Sequence, residues 1–494
     1  EIMPSLVGSE MCIRDSMYPS GDNNGKNPFF DNMYRDKREI EHTLNANIYA
    51  IVKLPFGIEY QMNYTPKYKW YEFMKHESAE HPEWAGKGGY AERRNSKSFN
   101  WLLDNIIRWK HQFNGGHNFE VTLLANAEKG QYWDTYVGAQ NFSPSDLLGY
   151  HNMGAGTVLS FLKDEGRNQD TYRTGDALMG RLYYSYKDKY MVTASVRRDG
   201  YSAFGMMNPR ATFPAVALGW VFTSEKFMEP AADFLSNLKL RVSYGLLGNQ
   251  ADAGLYTFAS NMSLNGGLGG YIFSDGRHIY TNPAPVIDPN TTWEKVESKN
   301  IGLDFGFFGN ALTGTVDIFQ RDTKDMLGPG LEFPDMFGAV APQANNARMR
   351  NRGWELSLNY RGKIGNDIDY SVGGSVSDAV SEVTEYANAK KNDPYGSWYT
   401  GRKVGEIWGY RAEGLIQTQE EADAYNAEYD LSYISGKLWE PGDVKYIDLD
   451  GNKVIDRGDN RLVDGDMGDQ TIIGNTTPRY QYTFNGYILS LIHI

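Results

Sequence analysis

The stretch Asn300-Ile301-Gly302-Leu303-Asp304-Phe305-Gly306-Phe307-Phe308-Gly309-Asn310-Ala311-Leu312-Thr313-Gly314-Thr315-Val316-Asp317-Ile318 changes character at every second residue on both sides of a turn. Ile301, Leu303, Phe305 and Phe307 alternate with Asn300, Gly302, Asp304 and Gly306. Past Gly309-Asn310, Leu312, Gly314, Val316 and Ile318 alternate with Thr313, Thr315 and Asp317. Neighbouring side chains of an extended strand point to opposite faces, so this is a hairpin with one greasy and one polar face.

The same period recurs outward in both directions. Trp354, Leu356, Leu358 and Tyr360 turn past Gly365-Asn366 into Ile368, Tyr370, Val372 and Val376, and Leu238, Leu240, Val242 and Tyr244 form a further row. Upstream, Leu44 to Leu54 turns at Pro55-Phe56-Gly57 into Ile58, Tyr60, Met62 and Tyr64. Phe99 to Trp109 turns near Gly115-Gly116 into Phe119, Val121, Leu123 and Ala125, and Tyr184 and Tyr186 turn at Lys187-Asp188 into Tyr190, Val192, Ala194 and Val196. About fourteen strands are expected on this count. Tight turns follow Leu54, Lys110, Tyr186, Phe308 and Arg361, whereas long polar loops are expected over roughly 65–97, 128–176, 198–211, 246–297, 322–350 and 379–477. Short turns at one end and long loops at the other, with strands of about 9 to 11 residues, predict an all-β, antiparallel transmembrane β-barrel. Aromatics near strand ends, such as Trp101, Trp109, Tyr186, Tyr190, Trp354 and Tyr360, fit its girdles. A two-layer soluble β protein would show the same half-buried alternation, but is not expected to sort its loops in this way.

Composition narrows the classes. The chain has 494 residues, 49 Lys+Arg against 62 Asp+Glu, a formal net charge of -13, 53 Gly and a single cysteine, Cys12. A disulfide scaffold, a collagen-like repeat and a basic nucleic-acid binder are thereby excluded, and 14% aromatics give ample apolar surface for an ordered fold. No run approaches the roughly 18 apolar residues of a membrane-spanning helix.

Both ends read as foreign. Leu489-Ser490-Leu491-Ile492-His493-Ile494 can be encoded by CTGTCTCTTATACACATC, whose reverse complement, read one base along, gives Met11-Cys12-Ile13-Arg14-Asp15-Ser16. That element resembles the transposase end of sequencing-library adapters, so residues 1–16 and 489–494 are expected to be adapter-derived, leaving 17–488 as the protein's own sequence.

Several ordered motifs carry a family resemblance. They include Ser195-Val196-Arg197-Arg198-Asp199-Gly200-Tyr201, Ala211-Thr212-Phe213-Pro214-Ala215-Val216-Ala217-Leu218-Gly219-Trp220 and Leu238-Lys239-Leu240-Arg241-Val242-Ser243-Tyr244-Gly245 with Gly248-Asn249-Gln250. Further along stand Trp293-Glu294-Lys295, Asn351-Arg352-Gly353-Trp354-Glu355-Leu356, Gly442-Asp443-Val444-Lys445-Tyr446-Ile447-Asp448-Leu449-Asp450-Gly451-Asn452 and Ile472-Ile473-Gly474-Asn475-Thr476-Thr477-Pro478. Over about residues 30–486 the chain resembles the barrel of the SusC/RagA family of TonB-linked outer-membrane transporters. The resemblance implies an incomplete barrel drawn from a parent of about 22 strands, located in the Gram-negative cell outer membrane and surrounded by outer-membrane lipid. It also implies a SusD-like surface lipoprotein as partner, TonB as the energy source, and an oligosaccharide or peptide as cargo. No TonB box, plug or final strands are recognised, so energy coupling is expected to belong to the parent, and the segment is not expected to fold stably alone.

Three local features bear on chemistry. Asp448, Asp450, Asn452, Asp456 and Asp459 place oxygens at positions 1, 3, 5, 9 and 12 of a loop resembling a calcium site, with Lys453 where a glycine is usual; the other reading is a solvated acidic turn. Trp133, Tyr136, Trp398, Tyr399 and Trp439 are expected in the long loops, where a ring face can stack on a sugar, although girdle or loop-packing roles also suit them. Thr418-x-x-Glu421 is a capping box that predicts one external helix.

Catalysis has no motif behind it. With His493 set aside, the histidines at 42, 76, 81, 111, 117, 151 and 278 form no His-Glu-x-x-His pair, and no Gly-x-Ser-x-Gly or Walker-type run is present. No cofactor is required on this reading beyond a possible structural calcium. Two functional classes stand: an active importer, or a surface-exposed β-rich binding or adhesion protein without transport.

Overall fold

The computed structural model describes residues 32–80, 85–158, 170–204, 207–250, 286–330, 333–337, 341–365, 367–387, 398–458 and 466–490, with a few short bridged pairs between 264 and 281. Residues 1–16 lie outside these, as do the last four residues and Asp459. The wall is built in chain order from β1 (Arg35–Asn45), β2 (Ile48–Leu54), β3 (Ile58–Glu77), β4 (Tyr90–Phe113), β5 (His117–Gln140), β6 (Asp170–Tyr186) and β7 (Tyr190–Tyr201). It continues through β8 (Arg210–Val221), β9 (Leu235–Asn249), β10 (Glu294–Phe307), β11 (Leu312–Gly328), β12 (Ala344–Ile364) and β13 (Ile368–Glu385). An insertion follows, comprising β14 (Glu406–Tyr410), β15 (Ala412–Leu415), helix α1 (Gln419–Glu428), β16 (Val444–Tyr446) and β17 (Gln470–Asn475), before β18 (Gln481–Ser490) pairs with β13. β18 takes in Leu489 and Ser490.

Each wall strand is antiparallel to the next. β1 and β2 share one edge of β3, against Lys67–Glu77 and Ile58–Tyr64 respectively, and so form a single interrupted strand. The path thus runs through 13 strands and, among the described residues, does not close on itself. The β10–β11 hairpin shows why its register is fixed. Phe307 opposes Leu312 and pairing continues without a slip to Lys295 against Lys324. Phe308, Gly309 and Asn310 close it with φ of 56°, 65° and 65°, left-handed values for which Gly and Asn are the natural residues.

The greasy rows are not a core. Ile301, Ile318 and Val372 are 57%, 62% and 60% exposed, and among the described residues no second layer covers them. Buried apolar clusters occur instead in the insertion (Ile416, Ala422, Tyr425, Leu431, Trp439, Ile455), at the long-loop end around Trp293, and around Phe142 and Tyr150. The polar side of the same strands is bound together across the wall. Arg241 on β9 donates from Nε to Asp304 (3.0 Å) and from Nη2 to Asp317 (2.9 Å). Gly302 leaves room for this, since a Cβ there would stand 2.7 Å from the Arg241 guanidinium carbon. A sandwich would bury the first face; a membrane barrel leaves it for lipid and turns the second to the lumen.

Strand length differs from expectation. β4 and β5 are 24 residues each and β12 is 21, about twice the span needed to cross a bilayer. The loops expected over 65–97 and 128–176 therefore shrink, because Thr65–Glu77, Tyr90–Lys97 and Glu128–Gln140 continue the ladder. The outward row of β5 runs Phe119, Val121, Leu123, Ala125, Ala127 and then turns polar at Lys129 and Gln131. Above the lipid the apolar signal ends, but backbone pairing does not.

Candidate functional site

Alternation along β4 and β5 carries Tyr90, Glu92, Arg94, Ser96, Tyr132, Asp134 and Tyr136 onto the inner face, above the lipid band. Two clusters result. The Tyr136 hydroxyl donates to Glu92 Oε2 at 2.9 Å and lies 2.8 Å from the Tyr90 hydroxyl, which also reaches Glu92 at 2.6 Å. Arg94 donates through Nε to Asp134 Oδ1 (3.0 Å) and through Nη2 to Asp134 Oδ2 (2.7 Å) and the Tyr132 hydroxyl (3.1 Å), while Ser96 Oγ donates to Asp134 Oδ1 (2.7 Å). Farther round the wall, Arg197 Nε donates to Asp199 at 2.8 Å. There a cavity of about 840 Å³ is lined by Glu128, Arg173, Arg197, Asp199, Tyr201 and Trp293. Trp293 packs at a tilt against Phe204, 5.0 Å between ring centres, and edge-on against Phe213 at 5.7 Å.

The insertion is a small folded unit. Thr418 caps α1 by accepting from the Glu421 amide (3.2 Å), and Glu421 accepts in return from the Gln417 amide (2.9 Å), one residue earlier than the usual reciprocal bond. The Tyr425 hydroxyl bridges both backbone groups of Tyr446, and burial pushes this phenol up to about 12.

The same unit gathers acids. Asp448, Asp450 and Asp469 bring carboxylate oxygens within 4.8 Å of one another. Asp448 accepts from the Gly451 (2.6 Å) and Lys453 (2.9 Å) amides, which outweigh its burial and hold its carboxyl below the usual range. Asp469 is fully buried and accepts from the Leu449 (2.6 Å) and Asp456 (3.0 Å) amides. Burial pushes its carboxyl up, the neighbouring charges of Asp450 and Asp448 add to the rise, and the two amides oppose it.

The profile of the family described as TonB dependent receptor-like, beta-barrel matches residues 13–482. The chain belongs to that family. This receptor segment is 27% identical over 436 residues to TonB-dependent receptor P39 of Formosa agariphila, covering 82% of the chain and 40% of the relative. It is 28% identical over 369 residues to TonB-dependent receptor SusC of Bacteroides thetaiotaomicron, covering 74% and 34% respectively. In fold it resembles the RagAB peptide transporter with a TM-score of 0.74 at 20% identity, over 95% of the segment and 48% of that chain. The segment thus spans less than half the length of these relatives. The SusC/RagA resemblance and the outer-membrane location hold, and the fold is the β-barrel that the alternation predicts.

The receptor segment places the sequence candidates unevenly. Trp133 and Tyr136 are not in a loop but on β5, since the ladder outlasts the apolar row. Trp133 shares parity with Leu123 and so lies on the outer face, with Lys97 Nζ 5.2 Å from its ring centre; Tyr136 is on the inner face. Trp398 is 41% exposed, with the Arg402 guanidinium 4.9 Å from its ring centre. Tyr399 donates to Glu406 at 2.7 Å, and burial with that carboxylate pushes its phenol up to about 12. Trp439 is buried in the insertion core, its Nε1 donating to the Val444 carbonyl at 2.7 Å. Of the acidic loop, Asp448 and Asp450 converge. Asn452 accepts from the Val454 amide and Asp456 from the Gly458 amide, while Asp459 lies outside the described residues. Asp469 is not among the expected ligands; it arrives from the turn leading into β17, and no loop spacing points to it.

Proposed function

We propose that this segment is part of an outer-membrane active importer of oligosaccharides or peptides, working with a SusD-like surface lipoprotein and energised through TonB in the whole protein. The observation that carries this reading is the division of one sheet into a lipid-side apolar row and an inner face of linked guanidinium, carboxylate and phenol groups. A solute rich in hydroxyls or amides can exchange hydrogen bonds along such a face without being stripped of partners. The fold likeness to a peptide transporter supports peptides as one cargo class. Tyr136, Trp398 and Tyr399 are the side chains we assign to cargo contact. The test is uptake of labelled oligosaccharides and peptides by cells carrying the whole receptor. Accumulation that vanishes without TonB, and falls severalfold in Tyr136→Phe, is expected. Cell-surface retention that is indifferent to TonB would instead favour a binding or adhesion protein.

We also propose that Asp448, Asp450 and Asp469 hold a calcium ion. Three hard oxygen donors converging on one point, one of them with a raised carboxyl, suit a divalent cation that would relieve their repulsion. Because the proton competes for Asp469, affinity should weaken as pH falls through its raised value. Calorimetric titration of the whole receptor checks this: heat with proton release is expected, and its absence removes the metal.

A further inference from the structure

On the outer face of β9–β12 the apolar band ends in a groove of about 670 Å³ whose floor includes Tyr244, Ile301, Ile318 and Trp354 and whose upper edge carries Lys299 and Arg352. Lys299 and Arg352 each stand two residues toward the long-loop end from Ile301 and Trp354, so they fall at the level where hydrocarbon gives way to headgroups. The charges above the groove are layered. Glu297 is shared by Lys299 and Lys324 and Asp322 pairs with Arg350, while Asp378, which lines the groove itself opposite Trp354, pairs with Arg479. The carboxylate side chains of these three acids are each 10% exposed, whereas the four cations keep between 37% and 51%. Glu382, opposite Arg350 on β13, is the remaining acid at this height among the described residues. Arg352 donates to the neutral Gln320 at 2.9 Å and has no carboxylate partner among the described residues. What faces outward is therefore cationic, on a chain whose net charge is -13.

We propose that this groove is a binding site for a phosphorylated lipid of the outer leaflet, with an acyl chain against Ile301, Ile318 and Trp354 and its phosphate on Lys299 and Arg352. Charge complementarity argues for the phosphate: ammonium and guanidinium groups held over buried acids leave donors pointing outward, and charge-assisted bonds to phosphate are the strong use of them. Exposed aromatic rings directly beneath fit the interfacial depth. The proposal depends on the membrane-facing side of the wall and not on what is imported.

Native mass spectrometry of the whole receptor, reconstituted with monophosphoryl lipid A or its dephosphorylated form, tests it. Wild type should keep the phosphorylated lipid through detergent exchange and lose the other. The Lys299→Gln, Arg352→Gln double variant, which leaves Glu297 its Lys324 partner, should retain about tenfold less. Arg198→Gln, removing an outer-face cation on β7, should retain as much as wild type. Equal retention of both lipids by wild type, or a loss in Arg198→Gln as large as in the double variant, overturns the proposal.

Discussion

The wall and the insertion are held together by opposite means. In the wall, neighbouring strands exchange nearly every backbone hydrogen bond, and the large apolar side chains, such as Ile301 and Ile318, remain uncovered by protein. In the insertion the ladders are short, between three and six residues, and stability comes from a closed cluster in which Ile416 and Ile455 are almost wholly inaccessible. One part needs lipid to finish its hydrophobic surface; the other finishes it alone.

Substitutions should separate the two. The largest effect is expected for Ile416→Ala or Ile455→Ala, where a buried cavity costs about 2 to 5 kcal/mol. Limited proteolysis should find the insertion cut while the wall stays intact, whereas Ile301→Ala, whose side chain meets lipid, should leave both unchanged. Placing Arg at Leu303 or Leu356 reverses the pattern: about 2 to 4 kcal/mol is lost from the wall if these positions lie near the bilayer midplane. Equilibrium folding of the whole receptor into vesicles measures this, and unaltered folding would contradict the outward orientation. A smaller loss should come from Thr418→Ala, which removes the α1 cap bond at a cost of about 1 kcal/mol, read as a small drop in the insertion's unfolding midpoint.

How far the sequence was legible follows the same division. The hairpins could be read because Gly309-Asn310 and Gly115-Gly116 punctuate rows that alternate greasy and polar. The upper wall reads as loop in the sequence because its outward residues, Arg93, Lys97, Lys129 and Gln131, face water, and backbone pairing, which makes the strand there, leaves no mark in side-chain type. The α1 helix was visible in its capping box. The inner-face clusters were not, since Arg94 and Asp134 are 40 residues apart and meet only once the register of β4 and β5 is known. Asp469 escaped for a similar reason, its partner amide at Leu449 being 20 residues away.

The length of β3, β4 and β5 has a consequence for whatever approaches from outside. Hydrogen-bonded ladder, rather than slack loop, rises past the bilayer there, so the mouth carries a stiff collar set at a fixed height. A visiting molecule that settles on such a collar finds its contact groups already immobilised, and association there avoids most of the ordering cost that floppy rims impose.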